Sequence, residues 1–375
     1  MLNKEEIARY SRHLLLPEIG MTGQEKIKST KILVIGAGGL GCPALQYLTA
    51  MGIGEIGIVD FDKVEESNLQ RQILYSIEDI GKLKTEAAVS KLSKQNPFVK
   101  FNSYPVRLDN QNAIDFFSKY DLIIDGTDNF ATRYLVNDVC VLLNKPLIYG
   151  SIYKFEGQVS VLNYIDSSGK SGPTYRCLFP TPPPSGSIPN CSEIGVLGVL
   201  PGIIGTLQAT EAIKIISGIG EPLSGKLLLF DALAMSFQVI EIARNNEWIN
   251  SAPKNIEEFR QTDYEYFCGN KNSESPTKSI SVNELKLMIE NKLDVQLLDV
   301  RETFEEPQIS ELMDLKIPLA DIHNQTHLIS KNKKVIVFCK SGSRSKRAIE
   351  ILEKDFGFTN LHNLEGGIIS WSRSI

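Results

Sequence analysis

The chain has 375 residues, enough for two hydrophobic cores, and its 42% hydrophobic and 23% charged content is that of an ordinary globular protein. A formal net charge of −5 without a basic tract excludes nucleic acid as a main partner. The opening MLNKEEIARYSRHLLL puts charges where a secretion signal needs an apolar run, and the longest apolar stretch, Ile194–Gly205, is too short to span a bilayer. A cytoplasmic protein without membrane attachment is expected, and six cysteines scattered over so long a chain agree with a reducing compartment.

In chain order, Lys31–Gly36 and Glu55–Asp60 are β-branched runs that read as strands, with a helix predicted over Gly38–Met51 between them. Asp121–Asp125 and Pro146–Tyr149 read as further buried parallel strands joined by a helix over Asn129–Leu143. Val159–Leu162, Leu227–Phe230 and Phe237–Ile242 alternate more and continue the sheet as antiparallel strands. Between Ser167 and Asn190 the Ser-, Gly- and Pro-rich sequence reads as a long mobile crossover. The stretch from Asn250 is polar and reads as a linker. Beyond it, a helix over Ser281–Glu290, strands over Val295–Val300 and Val335–Phe338, a helix over Arg344–Lys354 and the closing EGGIISW make a second, small α/β unit. The expected fold is therefore α/β: a doubly wound, Rossmann-like mixed sheet with a nucleotide site over residues 1–249, a linker at 250–277, and a small α/β domain over 278–375.

The sequence Gly36-Ala37-Gly38-Gly39-Leu40-Gly41 falls between strand and helix, and Asp60 ends the next strand about twenty residues on. The first glycine, Gly36, permits the tight turn, the second, Gly38, lets the backbone approach phosphate, and the third, Gly41, lets the helix pack on the sheet, while the helix N-terminus attracts the anion. The turn alone does not separate NAD from ATP. A second glycine-rich stretch, Gly220–Leu227, has P-loop spacing but carries Leu227 where a Mg²⁺-binding hydroxyl is required, and it precedes a strand; it reads as a turn. After Asp60 and Asp62 come Asn68, Arg71, Gln72 and then Lys84, more positive charge than a dinucleotide needs, and Asp128 at a strand's carboxyl edge is a candidate Mg²⁺ ligand. The bland alternative for Arg71 and Lys84 is a solvated helical face.

Taken together, GAGGLG, DFDKVEESNLQRQ, DGTDN, CSEIGVLGVLPGIIG and TLQATEAIK resemble the MoeB/ThiF/HesA adenylyltransferases, relatives of ubiquitin-activating enzymes, over Glu5 to Arg244. The resemblance implies ATP and Mg²⁺ as cofactors, and a small ubiquitin-fold sulfur carrier (MoaD- or ThiS-like) with a C-terminal Gly-Gly as substrate. It implies Asp60 or Asp62 at the ribose, Asn68, Arg71 and Lys84 at the phosphates with Gln72 orienting them, and Asp128 on Mg²⁺. It also implies that Arg12 reaches a neighbouring subunit's site in a homodimer. Many members hold zinc with two C-x-x-C pairs. Here each pair keeps only its second cysteine, Cys177 and Cys268, and two thiolates make a poor zinc tetrahedron, so no zinc is expected.

The last segment carries Cys339-Lys340-Ser341-Gly342-Ser343-Arg344 between strand and helix. Successive amides and the helix N-terminus make an anion cradle there, expected to favour the thiolate. With Asp299, Arg301, Gly366 and Trp371 it resembles a rhodanese sulfurtransferase domain, although ISELMDLKIPLADI replaces the family's usual G-H-I-P-G-A segment and suggests a shortened loop. The combination implies that Cys339, loaded by a cysteine desulfurase-like persulfide donor, attacks an acyl-adenylate, and that Cys191 in the crossover resolves the product or holds the acyl group. Molybdopterin biosynthesis is the expected pathway, with thiamin, cysteine or tRNA thiolation as alternatives. Three rival readings stand beside it: a ubiquitin-like activating enzyme using a Cys191 thioester, an NAD-dependent oxidoreductase with a fused sulfurtransferase, and a non-enzymatic scaffold.

Overall fold

The structure, a computed structural model, describes residues 1–183, 195–268, 278–309, 312 and 314–374. The chain divides into two compact units, Met1–Gly269 and Asn270–Ile375.

The first unit is built on an eight-stranded sheet: β1 (Lys31–Ile35), β2 (Glu55–Val59), β3 (Lys100–Tyr104), β4 (Leu122–Asp125), β5 (Leu147–Tyr153), β6 (Glu156–Leu162), β7 (Lys226–Asp231) and β8 (Ser236–Glu241), in the spatial order β3-β2-β1-β4-β5-β6-β7-β8. The first five run parallel, and β6, β7 and β8 add on antiparallel. Ile32–Ile35 of β1 lies in register with Leu122–Asp125 of β4, and here the strand order reverses. A doubly wound sheet opens its ligand crevice at such a reversal. Both faces of β1 are covered, which is why its sequence is an unbroken apolar run instead of an alternation.

Helices α1 (Lys4–Arg9), α2 (Ser11–Leu14) and α3 (Gly20–Ser29) precede the sheet; α4 (Gly41–Met51), α5 (Lys84–Gln95), α6 (Ala113–Phe117) and α7 (Phe130–Leu142) connect its parallel strands. The Asn129 side chain caps α7 by accepting the Thr132 N–H at 2.9 Å. Further on come α8 (Tyr175–Leu178) and α9 (Leu200–Ser217), the latter opened by Pro201 and closed by left-handed Gly218. Gly220–Gly225 lies in the connection from α9 to β7, and Lys226 and Leu227 open the strand, so the stretch precedes a strand as expected.

Parts of two stretches read as irregular are helical among the described residues, while residues 184–190 of the crossover and 269–277 of the linker lie outside them. Within the expected crossover, α8 buries Tyr175, Arg176 and Cys177. The expected linker begins inside the first unit: α10 (Asn246–Ile249), α11 (Ile256–Gln261) and α12 (Tyr264–Phe267) are capped by Asn245, Asn255 and Asp263, and Phe259 and Tyr264 join the core that contains α7. Short capped turns anchored by single aromatics leave no hydrophobic period to read.

The second unit holds a five-stranded parallel sheet of β9 (Ser279–Ile280), β10 (Val295–Asp299), β11 (Leu315–Lys316), β12 (Lys334–Phe338) and β13 (Leu361–Leu364), ordered β11-β10-β12-β13-β9. Helices α13 (Val282–Glu290), α14 (Ser343–Phe356) and α15 (Gly367–Arg373) complete it, α13 starting at a Ser281–Glu284 capping box. The segment expected as a shortened loop supplies edge strand β11 and a 3₁₀ turn, Leu319–Asn324, and buries Ile317 and Ile322. Among the described residues no helix is long and apolar enough to cross a membrane.

Candidate functional site

The glycine turn between β1 and α4 opens onto a cleft of about 870 Å³ at the carboxyl ends of β1, β2, β4 and β5. Its glycines do different work. Gly36 has φ +91°, and a Cβ there would stand 2.9 Å from the Gly126 carbonyl of the β4 loop; one at Gly41 would lie 2.0 Å from the Gly36 carbonyl. A Cβ on Gly39 would press on Pro201 at 3.0 Å. At Gly38 the nearest atom would be Gln72 Nε2 at 3.8 Å, so this position faces open cleft, with an amide donor beside the path a phosphate takes. Helix α9 holds the turn from behind: Gly205 leaves room for the Leu40 carbonyl, and Gln208 Nε2 donates to the Asp125 carbonyl at 2.7 Å.

Asp60 accepts the Ala37 and Asp62 N–H groups, both at 2.8 Å, tying the end of β2 to the glycine turn. Burial pushes its carboxyl above the usual range, against the pull of Lys84 and these two bonds. Lys84, nearly buried at the start of α5, pairs with half-exposed Asp62 at 2.9 Å. Arg71 is braced by the Ser67 carbonyl at 3.0 Å, and Asn68 and Gln72 are buried beside it. Asp128 lines the cleft as an exposed carboxylate with no hydrogen-bond or ion-pair partner among the described residues. Gly36, Gly38, Gly39, Asp60, Asp62, Asn68, Arg71, Gln72, Lys84 and Asp128 thus share one cleft, with Gly41 just behind it. Arg12 does not line it: it sits exposed on α2.

Sequence reasoning missed Arg133. Its Nη2 donates to the Thr127 carbonyl at 2.9 Å, and its guanidinium lies 5.6 Å from the Tyr149 ring centre, at the back of the cleft. A charged residue inside the apolar helical pattern of α7 was the available signal.

Where the resemblance places a zinc site, Arg176 inserts instead. Its Nε and Nη2 reach the two oxygens of buried Asp138 on α7 at 2.8 and 2.7 Å, and the Tyr264 hydroxyl donates to the same carboxylate at 2.9 Å. The guanidinium lies over Phe267 at 4.9 Å and Tyr134 at 5.2 Å. Cys177 and Cys268 flank this cluster as buried free thiols, the latter pushed up to about 12 by desolvation. Among the described residues no three His, Cys, Asp or Glu side chains converge.

In the second unit Cys339 follows β12, and Gly342, at φ +96°, turns the chain into α14. The Gly342 N–H donates to Cys339 Sγ at 3.2 Å and the Ser345 hydroxyl lies 3.6 Å from the same sulfur. Gly367 lets α15 close over the loop: a Cβ there would stand 2.3 Å from the Cys339 carbonyl, which accepts the Ile368 N–H. Arg344 is held by Glu305 in a bidentate pair, with Nη2 to Oε2 at 2.8 Å, and Arg301 is held by buried Asp299. Cys191 lies outside the described residues.

Residues 10–250 match the ThiF family and residues 281–374 the rhodanese-like domain. The chain is 43% identical to the "Probable adenylyltransferase/sulfurtransferase MoeZ" of Mycobacterium tuberculosis, over all of this chain and 95% of that one. It is 40% identical to the "Adenylyltransferase and sulfurtransferase MOCS3" of Xenopus laevis, over 100% of this chain and 88% of that one. The "Sulfur carrier protein adenylyltransferase" of Thermus thermophilus is 51% identical over 71% of this chain and 98% of its own. Among solved structures, E. coli MccB with ATP superposes at a TM-score of 0.52 and 25% identity, covering 60% of this chain and 67% of that one. Likeness of this extent, reaching through both units, makes the chain a member of the ThiF family of ATP-using adenylyltransferases, in the group whose members carry a rhodanese-like sulfurtransferase on the same chain.

Proposed function

We propose that the first unit adenylylates the C-terminal glycine carboxylate of a small ubiquitin-fold sulfur carrier ending in Gly-Gly, and that a Cys339 persulfide then converts it to a thiocarboxylate. One observation carries the reading. A single chain holds a nucleotide-sized cleft with Arg71, Lys84 and an uncommitted Asp128, and also a cysteine whose sulfur accepts an amide of its own loop. The names of its relatives, sulfur carrier protein adenylyltransferase and adenylyltransferase/sulfurtransferase, support the same pairing.

In the first step a carboxylate oxygen of the carrier attacks the α-phosphorus of ATP, and pyrophosphate leaves with the electrons of the broken P–O bond. Two anions must meet, so Arg71 and Lys84 offset the charge while Asn68, Gln72 and the amides at Gly38 and Gly39 align the phosphates. Asp60 or Asp62 takes the ribose. Asp128 fits Mg²⁺, an ion usually bound by one or two carboxylates plus substrate phosphates. When bound, Mg²⁺ neutralises phosphate charge at the reacting centre. Arg12, exposed on α2, serves the cleft of a second copy in a homodimer.

In the second step the terminal sulfur of the persulfide, supplied by a cysteine desulfurase-like donor, attacks the acyl carbon and AMP departs. Cys191 then attacks the Cys339 sulfur of the acyl disulfide. The thiocarboxylate leaves with the S–S electrons, and the resulting Cys191–Cys339 disulfide is reduced by a cellular thiol. We assign the carrier to molybdopterin biosynthesis; thiamin, cysteine and tRNA thiolation are the alternatives that identification of a co-purified carrier decides.

The test is to weigh the carrier after incubation with ATP, a persulfide source and the enzyme. One sulfur should replace one oxygen, and Cys339→Ala should abolish that gain while keeping pyrophosphate exchange. Full thiocarboxylate formation by Cys339→Ala would end the relay.

A further inference from the structure

The cysteine loop contains a polar pair that the relay above does not use. Ser345 and Asn363 are almost wholly enclosed, at 0% and 1% exposure, although each carries groups that burial penalises unless they are paired. The Ser345 hydroxyl lies 2.6 Å from Asn363 Oδ1 and 3.6 Å from Cys339 Sγ, so it stands between an amide and the nucleophile. Asn363 comes from β13 and Ser345 from the first turn of α14, so the contact joins two elements at the sulfur.

One hydroxyl has a single proton to give. The Ser345 hydroxyl is placed to donate either to Asn363 Oδ1 at 2.6 Å or to Cys339 Sγ at 3.6 Å, and the shorter contact holds its proton on Asn363 while Cys339 is a neutral thiol. Once the sulfur is anionic it needs a donor, and the Ser345 proton must turn towards it. Asn363 can follow, because a rotated amide presents its NH₂ to the Ser345 oxygen, a switch that an obligate acceptor cannot make. Arg344, the cation nearest in sequence to the helix N-terminus, is engaged by Glu305 in the bidentate pair. Arg344 still acts on the Cys339 sulfur through its charge, but the hydrogen-bond contacts to that sulfur come from the Gly342 N–H and this hydroxyl.

We propose that Ser345 is a positioning residue for sulfur chemistry at Cys339: steered by Asn363, its hydroxyl is the second hydrogen-bond donor to the anionic sulfur. The proposal rests on the reading of Cys339 as the persulfide carrier, yet its direct consequence is on the thiol itself. A hydrogen bond to a charged group is strong enough to move a thiol's titration by about one unit.

The experiment measures alkylation of Cys339 by iodoacetamide against pH in the full chain, following the Cys339 peptide by mass spectrometry. Ser345→Ala should shift the midpoint up by about one unit and slow alkylation near neutral pH about tenfold. Ser345→Thr should restore the wild-type profile, and Asn363→Asp, which pins the hydroxyl proton, should shift it upward as Ser345→Ala does. Coincident profiles for wild type and Ser345→Ala would overturn the proposal, as would failure of Ser345→Thr to rescue while its thermal unfolding matches wild type. Persulfide loading of the wild type is read separately. A protein that shows the expected shifts but never gains a persulfide disproves the carrier reading and leaves the hydrogen-bond assignment standing.

Discussion

Gly38 and Gly41 are the same residue type three positions apart, yet they should respond oppositely to an added methyl group. At Gly41 the methyl would have to occupy space 2.0 Å from the Gly36 carbonyl, backbone that cannot step aside. Gly41→Ala should therefore lower the urea midpoint of the first unit. At Gly38 the methyl meets nothing closer than 3.8 Å, so Gly38→Ala should fold normally and lose nucleotide affinity, read by ATP titration. Equal stability of the two variants would contradict this division. The glycine turn and most of its polar neighbours were legible in the sequence because nucleotide chemistry needs those residue types at those spacings. The contacts that enforce those separate roles, Gly126 against Gly36 and Pro201 against Gly39, were not legible, because they are distant in the chain. Arg133 escaped notice for the same reason: it is buried by Tyr149 from another strand, and its own helix looks like packing.

The strands covered on both faces were read correctly because an unbroken apolar run signals two covered faces. Helix α5 and strand β3 were not anticipated; α5 is mostly polar, and β3 pairs only with β2 at the sheet's edge, so its pattern is mixed. Nor were α8 and α12 anticipated, because what ties them to α7 is a buried polar cluster, Arg176 and Tyr264 around Asp138. Arg176→Ala would leave Asp138 enclosed without its counter-ion, a loss of about 3–5 kcal/mol in urea unfolding. The double variant Arg176→Met/Asp138→Leu should recover most of it, since a matched apolar pair needs no counter-charge. A second electrostatic contact ties α5 to the loop before it. Burial disfavours the Asp79 carboxylate, but bonds from Lys91 and Ser76 outweigh this and hold its pKa below the ordinary value. A carboxyl lowered in the folded state gives stability that is present above its unfolded pKa, near 4, and lost as the pH falls further. Asp79→Asn should thus be less stable than wild type at pH 7 and lose less on acidification, measured by urea midpoints from pH 7 to 3.

If Arg12 acts on a second copy's cleft, two defective proteins can repair each other. Arg12→Ala and Asp128→Asn should each be nearly inactive in pyrophosphate exchange. Mixed in equal amounts under conditions that let subunits trade, they should return about a quarter of wild-type activity, because half the dimers are mixed and each mixed dimer has one intact cleft. No recovery on mixing would place Arg12 in its own chain's chemistry or outside it. The helices that follow Asn250 were not legible: polar and short, and joined to the first core by Phe259 and Tyr264, they resemble a tether until the partner side chains are in view.

The clamp formed by Arg176, Asp138 and Tyr264 is synthesised with the polypeptide, so its closure draws on nothing scarce in the surroundings. Dialysis against EDTA should leave the first unit's urea midpoint unchanged, and a fall on chelation would show that some captured ion shares the task. A cell growing where transition metals are withheld would then still be able to fold this half of its enzyme.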